Sequence, residues 1–199
     1  MSRQEIIHSF WFGELSPDKP VPADKSKLWF GGERSTDTLL RDQFADDVSR
    51  ATRGEYDDWT GTASGALALI LLLDQFPRNI FRKTPAAFAT DAKALSISLS
   101  GVDSGLDLEL SVVERAFFYL PMEHSEDIDV QKMSIVAYEN LMNDATPAQR
   151  KMCESYYDYA VRHHDIIARF GRFPHRNETL GRISLAEEIE FLKEPGSSF

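Results

Sequence analysis

A single cysteine, Cys153, in a chain of 199 residues excludes an intramolecular disulfide and any thiolate-rich metal site. Long apolar runs are missing as well. The longest, ALALILLL at 66–73, falls far short of the about 20 residues that span a bilayer, so no membrane partner is expected. Positive charge is scarce: 22 Lys and Arg face 32 Asp and Glu, for a net charge of -10, which repels phosphodiester backbones and argues against nucleic-acid binding. There is no G-x-S-x-G, no Walker glycine loop, no dinucleotide fingerprint and no H-E-x-x-H. Hence no motif names a reaction, and no cofactor or metal is expected. The first residues, MSRQEIIHSFWFGE, intersperse charge with apolar positions and lack a leader-like core, so a reducing cytoplasm is the expected compartment.

What is present is the composition of a folded globular protein, 42% hydrophobic and 11% aromatic. Its length lets one domain, residues 1–199, bury roughly two thirds of the surface of the unfolded chain. Helix signals dominate. Ser111 with Glu114, Ser184 with Glu187, and Thr146-Pro147 with Gln149 read as capping boxes, and Thr84-Pro85 reads as an N-cap with its first helical residue. Gly54, Gly101 and Gly171 stand where C-terminal caps are expected. Apolar spacing near 3.6 residues runs through Leu39, Leu40, Phe44 and Val48, and again through Val130, Met133, Val136 and Leu141. These signals place helices near 2–12, 35–53, 64–76, 85–100, 111–120, 126–143, 147–169 and 185–193. The expected fold is all-α, about eight or nine helices in antiparallel pairs, with the apolar run 64–76 as a central helix. SPDKPVP at 16–22 reads as an extended crossing, and EPGSSF at 194–199 as frayed.

Two stretches a hundred residues apart repeat one phrase: LLLDQFPRNIFR at 71–82 and ARFGRFPHRNETLGR at 168–182. A residue before proline is pushed out of the α region, so Phe76-Pro77 and Phe173-Pro174 should each end a helix or turn sharply. A third such corner is Pro121, in FFYLPMEHSED. Each corner is loaded with donors. On one reading they cap the last carbonyls of a helix. On the other, guanidiniums at rigid turns converge on a carboxylate or phosphate, which they hold bidentately. The second reading makes Arg78, Arg82, Arg172 and Arg176 clamps and Asn79 an orienting residue, with Arg115, His124, His163 and His175 lining the site. His163 lies in register with Met152, Tyr156, Ala160, Ile167 and Phe170 and so belongs to an apolar helix face. Arg115, within a greasy helix, should have a buried partner or a ligand.

Taken together, LLLDQFPRNIFR, VERAFFYLPMEHSED and HHDIIARFGRFPHRN resemble, in order, the signature segments of a bacterial family catalogued as domain of unknown function 924. The resemblance covers most of the chain. It implies a fold similar to the tetratricopeptide-like superfamily, with antiparallel helix pairs in a compact right-handed array, although the W-x2-L-G-x2-Y spacing of true tetratricopeptide repeats is missing. It implies no activity. The residues themselves point to a binding module with an Arg- and His-lined pocket for an anionic small molecule or a peptide carboxylate. The alternative is a hydrolase or transferase acting on a phosphorylated or carboxylated small molecule, with His124 or His163 as proton carrier.

Overall fold

A computed structural model describes residues 1–198, and among them every regular element is helical. The helices are α1 (Arg3–Trp11), α2 (Ala23–Phe30), α3 (Arg34–Thr52), α4 (Ala63–Ile70), α5 (Phe76–Ile80), α6 (Asp91–Asp103), α7 (Val112–Glu123), α8 (Ile128–Asp144), α9 (Arg150–Phe170) and α10 (Ala186–Phe191). None is long and apolar enough to cross a membrane.

The apolar run does form the centre. Ala66 to Leu73 are each no more than 1% exposed, covered by α1, α3, α6 and α7 through Trp11, Phe44, Ala94 and Phe118. Each leucine so buried contributes about 1.5–3 kcal/mol. A smaller cluster of Ile166, Ile167 and Phe173, backed by Ile128, Phe170 and Phe191, fastens the C-terminal segment to α8 and α9.

Pro77 and Pro121 sit inside continuous helix, against the expectation that each ends a helix or turns sharply. Pro77 has no N–H for the Leu73 carbonyl, and in an α-helix its ring would strike that oxygen. The chain relieves the clash by widening into a π-turn over Leu71–Gln75, where the Phe76 N–H reaches back five residues to the Leu71 carbonyl. Side chains then serve three consecutive carbonyls: Thr90 Oγ1 donates to Leu73 (2.5 Å), Arg78 Nη1 to Asp74 (2.7 Å) and Asn79 Nδ2 to Gln75 (3.0 Å). The Pro-Arg-Asn phrase is thus first a repair of the helix that its own proline disturbs. Thr90→Val should leave the Leu73 carbonyl without that donor and cost about 1–3 kcal/mol in chemical denaturation. Helix α7 stays α-helical through Pro121, and side chains serve the carbonyls on either side of the one its ring faces: Tyr138 Oη donates to Ala116 (2.9 Å) and Ser98 Oγ to Phe118 (2.6 Å). The helix therefore continues to Glu123 and buries it.

Several boundaries shift for equally local reasons. The Ser111–Glu114 box forms, and a second one joins Ser2 and Glu5. The expected C-terminal box does not form: Glu188, one residue later than Glu187, reaches back to the Leu185 N–H, while Ser184 is engaged by Asn177. Thr84-Pro85 opens only a short 3-10 turn, Pro85–Ala87, and α6 begins at Asp91. Thr146 Oγ1 meets Gln149 Oε1 at 3.2 Å, but the helix starts at Arg150. Gly171 caps α9 with φ 68°. Gly101 instead lies within α6, where a Cβ would come 2.3 Å from Phe118 Cζ. The stretch after the proline-rich crossing forms α2, which delivers Trp29 and Phe30. At the other end, Ser197 is buried and bonded to the Leu192 carbonyl rather than frayed, and Phe199 lies outside the described residues.

Candidate functional site

Between α2, the α4–α5 junction, α7, α8 and α9 lies a cavity of about 570 Å³. One wall is apolar and aromatic, built by Trp29, Phe30, Phe117, Leu120 and Tyr156. Phe117 packs edge-on against Trp29 at 4.8 Å and lies parallel to Phe30 at 6.3 Å. The opposite side is polar: Gln75, Arg78, Asn79 and Arg82 from the α4–α5 junction, Glu123 and His124 from the end of α7, and His163 from α9. A concave apolar space with a few convergent polar groups is the usual form of a small-molecule site.

The polar side is organised by Asp74, which is fully buried. The π-turn swings Asp74 toward α7, where its carboxylate accepts from Arg78 (3.0 Å), from His124 Nδ1 (2.8 Å) and from Gln75 Nε2 (2.6 Å). Burial opposes its ionisation, but the Arg78 charge and the His124 contact outweigh burial and hold the carboxyl well below the usual range. Arg78 also forks onto Asp91 (3.0 and 2.9 Å), and Arg176 approaches the same carboxylate at 3.5 Å. Burial, then the neighbouring Arg78 charge, lowers His124, so its imidazole is neutral near pH 7.

Beside this cluster lies a second, uncharged one. Glu123 Oε1 stands 3.1 Å from His163 Nδ1, which also donates to the Tyr159 carbonyl at 2.8 Å. Tyr138 packs on the other side of Glu123, and its hydroxyl proton already goes to the Ala116 carbonyl. The same hydroxyl is within reach of the Glu123 carboxyl, where donating would favour the ionised form, but burial outweighs it. Burial, with the Asp74 charge nearby, pushes Glu123 up to about 8, while burial drives His163 down to about 3. At neutral pH this corner holds a carboxylic acid and a neutral imidazole.

Of the residues proposed from sequence, Arg78, Asn79, Arg82, His124 and His163 line this cavity. Arg176 stands behind its floor, donating to the His124 carbonyl (3.1 Å) and sandwiched between Phe88 and Phe173, with His175 beside Phe173. Arg115 is elsewhere, in a separate groove, held by Asp144 (2.7 Å) and Tyr119 (3.1 Å). Arg172 is on the outer side, forked on the buried Glu188 at 2.6 and 2.8 Å. Along 162–182, Arg172, Arg182 and Arg176 are paired with Glu188, Glu126 and Asp91 respectively. Asp74, Gln75, Glu123 and Tyr138 were not among the proposed residues. The sequence signal for Asp74 is weak, a single charge at the end of the apolar run 66–73. Among the described residues, no group of three or more His, Cys, Asp or Glu could hold a metal ion.

Comparison with other proteins agrees on the architecture. A family model described as "Bacterial protein of unknown function (DUF924)" matches residues 7–196. The solved structure of a protein of unknown function, ATU0120, from Agrobacterium tumefaciens is similar over 96% of both chains, with 37% sequence identity and a TM-score of 0.81. No curated protein matches the chain.

Proposed function

The chain belongs to the DUF924 family of bacterial proteins, and from that premise we propose that it is a binding protein for a small organic anion, seated in the cavity between α2, α7 and α9. The supporting observation is the junction of two unlike surfaces in one cavity. An aromatic wall accepts an apolar body, and Arg78, Asn79 and Arg82 stand at one end of it. Most of the cationic charge is already matched, Arg78 by Asp74 and Asp91, and Arg82 by Asp37 at 2.9 and 2.7 Å. Arg82 is the more exposed of the two and keeps its Nη1, which makes no hydrogen bond to the described residues, available for a carboxylate or phosphate. A single acidic group on an apolar body is therefore the ligand class, whether a metabolite or the C-terminal carboxylate of a peptide. A tetratricopeptide-like placement fits the side-by-side packing of α7, α8 and α9, and it puts the cavity on the inner face of the array.

Calorimetric titration with phenylpyruvate, indole-3-acetate and phenyl phosphate, beside the uncharged 2-phenylethanol, tests this reading. At least one anion should bind, the neutral compound should bind more weakly, and Arg82→Ala should weaken the anion about 10- to 100-fold, as expected for a hydrogen bond to a charged group. Equal binding by the neutral compound, with no change in Arg82→Ala, would defeat the anion reading.

A further inference from the structure

The cavity floor carries more than binding requires. We propose that it is a general acid–base site that moves a proton beside a carbonyl group of the bound anion, with His124 as the base, Glu123 as the acid and Asp74 as the positioning residue. This rests on the binding reading above, and adds a reaction to it.

The geometry carries the proposal. Asp74 is completely buried and accepts from His124 Nδ1 at 2.8 Å, which fixes the tautomer with the proton on Nδ1. Nε2 is thereby an acceptor, on a side chain that lines the cavity and makes no other hydrogen bond to the described residues. A buried carboxylate orienting an imidazole that lines a cavity is the arrangement that makes histidine a base. Glu123 is the adjacent residue, also lines the cavity, and sits against His163 at 3.1 Å. Glu123 is buried beside the Asp74 carboxylate with no arginine or lysine of the described residues paired to it, which keeps it protonated, so it can donate to an oxygen that gains charge. A neutral carboxylic acid in an apolar site does this wherever a carbonyl oxygen becomes an enolate.

The step balances without a co-reactant. His124 Nε2 takes a proton from the carbon next to the carbonyl, and the released pair forms the C=C bond. The carbonyl π pair moves to oxygen, which takes the Glu123 proton. The product is the enol, with His124 left as imidazolium and Glu123 as carboxylate, and proton exchange with water restores both. The groups that face His124 from neighbouring elements are Asp74 and Arg78 at the α4–α5 junction, His163 on α9, and His175 and Arg176 in the 174–176 turn. Arg78 and Arg176 weaken the base, and Asp74 strengthens it. The substrate class is a carboxylate-bearing carbonyl compound with an apolar body, and phenylpyruvate is its simplest probe.

The experiment follows exchange of the phenylpyruvate C3 protons in D₂O by NMR, on the full chain, beside calorimetric binding of the same compound. Exchange should exceed the buffer rate by about 100-fold or more, the usual share of positioned acid–base groups. His124→Gln and Glu123→Gln should each return it toward the buffer rate while binding is retained. Asp74→Asn, provided it folds, should lower kcat at unchanged KM. It should also move the acid limb of the pH profile downward, because losing the Asp74 charge makes His124 easier to deprotonate. Binding without exchange above buffer, or exchange untouched in His124→Gln, overturns the proton-transfer proposal and leaves the binding reading standing. No binding by phenylpyruvate or the other anions overturns both. Glu123→Gln keeps the shape of the native side chain, so the test holds even if another variant fails to fold.

Discussion

Replacing Asp74 by alanine should cost about 3–5 kcal/mol of folding stability, the usual consequence of removing one member of a buried ion pair. For a chain of this length, that lowers the melting temperature by about 6–20 °C. The carboxylate has no exposed surface and carries contacts from Arg78, His124 and Gln75. Without it, the buried Arg78 guanidinium keeps only Asp91, and two further donors lose their acceptor. Asp91→Ala should cost clearly less, because Asp91 is 22% exposed in its side chain and water can replace it. The measurement is urea denaturation with the slope compared between variants, so that a change in the unfolded state is not mistaken for lost stability. The contribution has a definite pH window. Asp74 is held below its ordinary value of 3.8, so its stabilisation is complete above about pH 4 and is lost only as the solution is acidified below that. A loss under about 1 kcal/mol at pH 7 would mean that the Arg78–Asp91 pair, and not Asp74, organises the polar floor.

The same residue shows where sequence reasoning stops. Asp74 stands in the middle of the repeated phrase, yet a charge at the end of an apolar run reads most simply as the point where a helix leaves the core. What reverses that reading is the π-turn, and its cause, Pro77, is visible in the sequence while its geometry is not. Proline can end a helix, kink it or widen it. The choice depends on whether distant donors such as Thr90 can serve the displaced carbonyls. Pro121 misled in the same way. Treated as a terminator, it puts Glu123 in a solvated loop, but with Tyr138 and Ser98 serving the neighbouring carbonyls the helix runs on, and Glu123 is 4% exposed.

Periodicity was reliable in α9 but not in α8, where Met133 and Val136 are exposed and Gln131, Ser134 and Tyr138 face the core instead. His163 falls on the inner face of α9 as its spacing with Tyr156, Ala160 and Ile167 requires, and it is 3% exposed. Arginine was the least legible residue type. Arg115 and Arg172 looked like ligands for an anion, but their long side chains reach Asp144 and Glu188, acids 29 and 16 residues away in the chain. Pairings across that distance are set by tertiary packing, which spacing does not encode. Only those arginines attached to the π-turn, Arg78 and Arg82, are carried to the cavity with their helix.

Glu123→Gln should stabilise the protein at and above neutral pH, and the gain should vanish in acid. The side chain is buried among His163, Tyr138 and the Asp74 charge, and its carboxyl is pushed up to about 8 from an ordinary 4.5. Between those two values the unfolded chain releases this proton and the native chain keeps it, so the native state binds more protons and stability falls as pH rises. Below pH 4.5 both states are protonated and the residue costs nothing on this account. The slope attributable to this one group approaches about 1.4 kcal/mol per pH unit in the middle of the window, and the whole effect is at most about 5 kcal/mol by pH 8. Glutamine keeps the shape, offers an N–H₂ to the Tyr138 oxygen and an oxygen to His163 Nδ1, and removes the ionisation. Denaturation of both proteins from pH 5 to pH 8 isolates the difference, since every other titrating group is shared. Parallel stability curves would show that Glu123 is already ionised in the native state. A carboxylate could not donate to a ligand carbonyl, so that result would also withdraw the acid from the proposed reaction.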